Sequence, residues 1–187
     1  MAVKKILLLG NPELYQVSQS IRKHEVNELS EVLKDLHDTL MDFKKRYGVG
    51  RAIAAPQIGV KKRLVYMFID RPTLFINPVL EQRSREMIDV WDDCMCFPDL
   101  FVKVRRHKRC RIRWLNIDWK EEKRVLEGSL SELLQHECDH LEGILAVSRA
   151  INGKSFPHAI SNSASGLARF GVGPQLTPMA EMPNGRS

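Results

Sequence analysis

The stretch Gln135-His136-Glu137-Cys138-Asp139-His140 carries the pattern HExxH in a segment that we expect to be helical. Residues four positions apart lie on one face of a helix, so His136 and His140 can direct ring nitrogens toward one metal ion. Glu137 lies beside that face and can reach a metal-bound water as a general base. The spacing therefore predicts a hydrolytic metal centre on this helix.

The third protein ligand of this centre is expected upstream of the helix. The extended motif HExxHxxGxxH is nearly present, but its last ligand position is Ala146. Further downstream the only acidic residue is Glu181 and the only histidine is His158, both in a Gly/Pro/Ser-rich tail. Upstream, Cys94 and Cys96 offer two thiols one residue apart, and at this point either one is a candidate ligand.

Length and composition indicate one globular domain without a membrane-spanning segment. A chain of 187 residues with a hydrophobic fraction of 43% is large enough for a real core, and no apolar run reaches the length of a transmembrane helix. Residues 1–9 resemble the start of a signal peptide. However, the apolar run stops at Gly10 without a cleavage site, so we expect a first strand or an extended arm.

Cysteine usage and charge suggest where the protein acts and what else it binds. Two of the four cysteines accompany a histidine metal motif, which favours thiolate ligation in a reducing cytoplasm over disulfide bonds. The net charge of +6 is concentrated in residues 103–113. There, Cys110 and Ile112 alternate with arginines, so we interpret the segment as a strand with one solvated face. Binding of ribosomal RNA to these residues remains an alternative.

The rest of the pattern predicts an α+β fold. A helix ending at Gly48 is predicted by apolar residues at three- and four-residue steps, namely Leu29, Leu33, Leu36, Leu40, Phe43 and Tyr47. Strands are predicted at 63–69, at 74–80 with an interruption or sheet edge at Asn77-Pro78, and at 110–119. Ser129 or Ser131 is the expected N-cap of the motif helix. We expect a catalytic domain over 1–151 and an irregular tail over 152–187.

Three motifs, in order, resemble those of the peptide deformylase family. The family's QHExDH segment is intact at residues 135–140, its glycine-rich segment ending in AAxQ is present at 50–57, and its EGCLS segment is present in altered form at 92–96. The resemblance extends to about Ser148. It implies an α+β fold with mixed and antiparallel sheets packed around a central helix that bears HExxH.

The resemblance implies a metal site with three protein ligands. The ligands are Cys94, His136 and His140, while Cys96 falls at the serine position of the motif. One divalent ion is expected, with Fe2+ as the first choice and Zn2+, Ni2+ or Co2+ as alternatives. A closed structural zinc site, formed by both cysteines and both histidines, remains a less favoured interpretation.

The resemblance also assigns the catalytic residues and the substrate. Glu137 is implied as the acid–base residue, and the Gln57 side-chain amide and the Met95 backbone N–H as donors to the oxyanion. The implied activity is removal of the N-formyl group from N-formylmethionyl peptides of nascent proteins, with release of formate. The residues expected to border the substrate are Gly50, Arg51, Ala52 and Leu133. Alternatives are a metal- and peptide-binding relative with little activity, a ribosome-associated factor with a relic site, and a zinc peptidase.

Several substrate-facing positions depart from the family pattern. Glycine is replaced at Ala52 and at Asp93, and charged residues stand at Arg51 and Glu132 where apolar residues are usual. We hypothesise that Arg51 and Glu132 pair across the mouth of the methionine pocket, which would weaken the preference for formyl-Met. The alternative is that both side chains turn to solvent.

Overall fold

The protein has the α+β architecture that its sequence predicts. The structure is a computed structural model, and it describes residues 3–156. The described residues form two α-helices, short 3-10 turns and seven strands. His158, Glu181 and the tail from residue 157 onward lie outside the described residues. No helix among residues 3–156 is long and apolar enough to cross a membrane.

The first helix, α1, spans Leu29–Tyr47 and confirms the predicted apolar stripe. Leu36, Leu40 and Phe43 are buried on one face. The helix ends at Gly48, which adopts a left-handed conformation with φ 74° and donates its N–H to the Lys44 carbonyl at 2.9 Å. Glycine takes this conformation without steric cost, which explains why the helix stops there.

Five strands form one antiparallel sheet, and two more form a separate hairpin. In chain order the strands are β1 (Ala52–Ala54), β2 (Leu64–Phe68), β3 (Pro72–Glu81), β4 (Met87–Asp93), β5 (Phe101–His107), β6 (Arg109–Leu115) and β7 (Glu121–Glu127). The large sheet has the order β1-β2-β3-β6-β7, and β4 pairs with β5 alone. All the pairings are antiparallel.

The predicted interruption at Asn77-Pro78 is present within β3. Asn77 has a positive φ of 49°, and the register with β6 shifts between Ile76 and Val79. The Asn77 side chain accepts from the Ile21 N–H at 2.9 Å and donates to the Ile21 carbonyl at 2.8 Å. The irregularity thus anchors the N-terminal segment to the sheet.

The two helices pack on opposite faces of the large sheet. Successive side chains on a strand point to opposite faces, so Val65 of β2 packs with the second helix, α2 (Gly128–Leu141), while Leu64 and Tyr66 pack with α1. The β4–β5 hairpin contacts α2 as well. The motif helix is therefore covered by sheet residues and buried from Leu133 to Leu141.

Three sequence-based predictions need correction. The strand predicted at 110–119 ends at Leu115, because residues 116–120 form a turn around Asn116, whose side chain accepts from two backbone N–H groups. The basic segment 103–113 is two strands rather than one, and its Arg106 is buried. Neither Ser129 nor Ser131 caps α2, since the cap position is Glu127 and Ser131 instead donates to the His107 carbonyl at 2.9 Å.

Both chain ends of the described region are irregular. Residues 3–8 form an extended arm, as one of the two expectations had it, and Leu7 donates its N–H to the Gln57 carbonyl at 2.8 Å. Of the predicted tail, only residues 152–156 are described. Ser155 is buried there and accepts from the Lys103 N–H at 2.9 Å, which holds these residues against β5.

Candidate metal centre and active site

The structure brings Cys94, His136 and His140 together at one point. The Nε2 atoms of the two histidines are 3.1 Å apart, and Sγ of Cys94 lies 3.3 Å from Nε2 of His140. The three donor atoms lie within 4.8 Å of one another, and all three residues are buried. Cys96 is not part of this cluster. The histidines come from successive turns of α2 and the cysteine from the turn after β4, so the site joins the helix to the small hairpin.

Asp92 faces the ring of His136 on the side away from the cluster. Oδ1 of Asp92 lies 2.8 Å from Nδ1 of His136. Burial lowers the pKa of His136, but the Asp92 carboxylate outweighs burial and raises it to about 10. Burial alone would raise the pKa of Asp92, yet His136 and Arg106 hold it at about 2. A carboxylate at Nδ1 keeps the proton on that nitrogen, so a metal ion that binds His136 would displace only the proton of Nε2.

A buried arginine holds Asp92 in place. Arg106 donates through Nη2 to Asp92 at 2.7 Å and through Nη1 to Asp139. Arg149 also donates to Asp139, with Nη2 2.6 Å from Oδ1. Asp139 is therefore linked to the ligand His136 through Arg106 and Asp92.

Sequence reasoning missed Arg106, although a signal was available. Val102, Val104 and Arg106 occupy alternate positions of β5, and all three are buried. Alternate residues of a strand share a face, so the two valines mark Arg106 as inward-pointing. An arginine in that position requires buried acidic partners.

Glu137 is buried beside the cluster without a partner for one of its oxygens. Its Oε2 has no hydrogen bond within the described part of the chain. Burial raises the pKa of Glu137 to about 7, against the opposing effect of His136. A carboxyl group with a pKa near neutrality is suited to accept and return a proton. The unpaired oxygen is what a residue that contacts water or substrate is expected to show.

The pKa values of Cys94 and Cys96 are shifted in opposite directions. Burial, together with Cys96, raises the pKa of Cys94 well above its ordinary value. The interaction with Cys94 lowers the pKa of Cys96, against the effect of burial. A metal ion would displace the proton of Cys94, because a coordinating thiol is deprotonated. Cys110 and Cys138 are buried in the core, and burial raises the pKa of both.

This donor set fits a catalytic divalent ion. One thiolate and two imidazoles are three protein ligands, and catalytic sites with three ligands keep a fourth position for water or substrate. The unpaired oxygen of Glu137 lies in the same buried site. A closed four-ligand site would need Cys96 in the cluster, and the structure does not place it there.

The two expected oxyanion donors, Gln57 and Met95, lie near the thiols in space or in sequence. Oε1 of Gln57 accepts from the Ala54 N–H at 2.8 Å, which fixes the amide so that Nε2 points toward the sulfurs. Nε2 lies 3.6 Å from Sγ of Cys94 and 3.6 Å from Sγ of Cys96. Met95 lies between the two cysteines in the sequence, and it is buried. Both expected oxyanion donors are thus adjacent to the cluster.

The hypothesised ion pair between Arg51 and Glu132 is formed. Nη2 of Arg51 lies 3.2 Å from Oε2 of Glu132, and Nη1 of Arg51 donates to the Ser129 carbonyl at 3.4 Å. The Glu132 side chain is only 13% exposed, whereas that of Arg51 is 43% exposed. The alternative, with both side chains turned to solvent, is therefore not what the structure shows.

Of the other residues expected to border the substrate, Gly50 precedes β1, Ala52 is in β1 and Leu133 is in α2. Gly50 has a φ of 125°, and a Cβ added there would lie 3.2 Å from Cδ1 of Leu40, so the position favours glycine. Ala52 and Leu133 are buried and share one core cluster. All three positions lie close in sequence to residues of the site, and Ala52 and Leu133 are also part of the core.

The chain is similar in sequence to known proteins. The family model described as polypeptide deformylase matches residues 3–155. Peptide deformylase 1 of Prochlorococcus marinus (strain MIT 9313) is 39% identical over 168 residues, which cover 83% of this chain and 85% of that protein. Peptide deformylase of Leptospira biflexa serovar Patoc (strain Patoc 1 / Ames) is 32% identical over 170 residues, covering 83% and 92%.

Solved structures show the same similarity. The crystal structure of peptide deformylase from Thermotoga maritima matches with a TM-score of 0.74 and 27% identity, covering 81% of this chain and 100% of that chain. The peptide deformylase from Synechococcus elongatus, solved in complex with actinonin, matches with a TM-score of 0.74 and 25% identity, covering 82% and 81%.

Proposed function

This chain belongs to the peptide deformylase family, and we propose that Cys94, His136 and His140 hold the divalent ion with which it removes the N-formyl group of nascent peptides. The family establishes a metal-dependent hydrolase with this activity. The observation that carries the residue assignment is the buried cluster of three donor atoms beside the unpaired oxygen of Glu137.

The ion, when bound, would act as a Lewis acid toward the formyl carbonyl and would lower the pKa of a water molecule. We propose Fe2+ as the native ion, with Zn2+, Ni2+ and Co2+ as alternatives that the same donors accept. The Asp92 carboxylate keeps Nε2 of His136 available for that ion.

Glu137 is the proposed proton carrier of the reaction. A carboxylate that has a pKa of about 7 can accept a proton from the attacking water and return it to the leaving amine. The Gln57 side-chain amide and the Met95 backbone N–H are the proposed donors to the oxyanion. Each such donor is worth about 3–4 kcal/mol of transition-state stabilisation. The bond from the Ala54 N–H to Gln57 supports this role, since it orients the amide before substrate binds.

The protein is further proposed to act in the cytoplasm on formylated chains that emerge from the ribosome. Contact of residues 103–113 with the ribosome is the finer part of this proposal. Arg105 and Arg109 are exposed in this segment, although each lies next to an acidic residue, Asp89 and Glu127. Arg106 is buried and is not available to such a partner.

The decisive experiment measures formate release from a formyl-Met peptide by protein that was purified without oxygen and loaded with iron. Elemental analysis of two matched variants tests the ligands in parallel. Cys94→Ser should lose the metal, whereas Cys96→Ser should keep it. Equal loss in both variants would indicate a closed four-ligand site. Cleavage of internal peptide bonds without formate would indicate a peptidase instead.

A further inference from the structure

Cys94 and Cys96 are neighbours in space as well as in sequence. They occupy the first and third positions of a tight turn, which is closed by the Phe97 N–H donating to the Cys94 carbonyl at 3.0 Å. The Cys96 backbone N–H lies 3.4 Å from Sγ of Cys94. The same Gln57 nitrogen lies 3.6 Å from each sulfur. Both residues are buried, and the described contacts give Cys96 no role in the cluster of three donors.

We propose that Cys94 and Cys96 form an oxidative modification site, in which a small hydroperoxide converts the two thiols into an intramolecular disulfide and thereby removes Cys94 from the metal-binding set. The inference rests on the proposed function only in taking Cys94 as a metal ligand. It assigns a purpose to Cys96, which the hydrolytic reaction does not use.

The oxidation balances with hydrogen peroxide as the oxidant. One sulfur attacks a peroxide oxygen, the O–O bond breaks, and the products are a sulfenic acid and one water. The second sulfur attacks the sulfenic sulfur, the S–S bond forms, the S–O bond breaks, and a second water leaves. The two thiols lose two electrons and two protons in total, and one peroxide is reduced to two waters.

The turn keeps the two cysteines close enough to form a disulfide. A disulfide needs its Cα atoms roughly 4.4–6.8 Å apart, and a β-turn holds even its first and fourth Cα atoms within about 7 Å. Without a second thiol, an oxidised cysteine continues to irreversible sulfinic and sulfonic acids. Cys96 would therefore stop the oxidation of Cys94 at a disulfide, which thiols can reduce.

The remaining cysteines do not compete for this bond. Cys110 and Cys138 belong to the core cluster between the large sheet and α2, whereas Cys94 and Cys96 belong to the cluster around the β4–β5 hairpin. Sγ of Cys110 contacts the Ser131 hydroxyl at 3.3 Å. Cys110 thus provides a matched control, as a buried thiol away from the metal cluster.

The test treats the metal-loaded, full-length protein with hydrogen peroxide and follows intact mass, free thiols, bound metal and recovery with dithiothreitol. The wild type should lose about 2 Da as the disulfide forms. It should fall from four free thiols to two, release its metal, and rebind metal after reduction. Cys110→Ser should behave in the same way. Cys96→Ser should instead gain oxygen atoms in mass, and dithiothreitol should not restore its metal binding.

Two outcomes would overturn the proposal. The first is a wild type that gains oxygen and shows no disulfide bond between Cys94 and Cys96 in the proteolytic peptide that contains both residues. The second is a Cys96→Ser protein that recovers metal binding as fully as the wild type. Mass, thiol count and metal content do not depend on formate release, so failure of this proposal is distinguishable from failure of the deformylase assignment.

Discussion

Replacement of Arg106 by methionine should lower both the stability of the protein and its affinity for the metal ion. The Arg106 side chain is 3% exposed, and it bridges the carboxylates of Asp92 and Asp139, which are 2% and 12% exposed. Breaking a buried ion pair by removing one partner typically costs about 3–5 kcal/mol. Asp139 keeps Arg149 and Asp92 keeps His136, so we expect the lower end, about 3 kcal/mol. That is a large part of the roughly 5–15 kcal/mol stability of a typical domain.

Metal affinity should fall in the same variant. Asp92 would lose the guanidinium that fixes its carboxylate, and Asp92 in turn fixes the ring of His136. Loss of such an outer hydrogen bond typically reduces metal affinity by about 10–100-fold. Urea unfolding of the metal-free protein measures the free energy of unfolding without a contribution from metal binding. Competition with a chelator measures the metal affinity.

Arg105→Met is the matched control for this experiment. Arg105 precedes Arg106 on β5, points to the opposite side, and is 56% exposed in a pair with Asp89. Exposed pairs contribute little to stability because solvent screens them. The control should therefore retain nearly all of its stability and its metal affinity. Equal losses in the two variants, or a normal metal affinity in Arg106→Met, would refute the role assigned to the buried arginine.

Three further predictions concern catalysis, specificity and the tail. Glu137→Gln should keep the metal but lower kcat about 10²–10⁴-fold, and retained metal with unchanged kcat would remove Glu137 from the mechanism. Because of the Arg51–Glu132 pair, the wild type should prefer formyl-Met over formyl-Ala and formyl-Ser peptides less strongly than the double variant Arg51→Leu/Glu132→Leu does. A strong formyl-Met preference that the double variant leaves unchanged in kcat/KM would contradict this. Removal of residues 157–187 should leave metal content and formate release intact, and loss of either would place a needed element in the tail.

The local parts of this protein can be predicted from its sequence. Periodicity at three- and four-residue steps identified α1, and the HExxH spacing placed His136, His140 and Glu137 on one helix, because both patterns express the geometry of a single helix. The Asn77-Pro78 interruption was also readable, since proline cannot donate to a strand ladder. Strands β4 and β7 gave no comparable signal, because most of their residues are not buried and apolar alternation is lost.

The contacts that join these local parts into one site depend on how the elements pack together. Arg106, Asp92 and Asp139 come from β5, β4 and α2, and their contacts exist only because the hairpin packs against the helix. Arg106 is buried because of the same packing, although the sequence of its segment is typical of a basic surface. The pairing of Arg51 with Glu132 likewise joins residues 81 positions apart. The charges of the side chains indicate which groups can pair. Burial and distance depend on the whole fold, and they set the pKa values and the roles of the residues in the site.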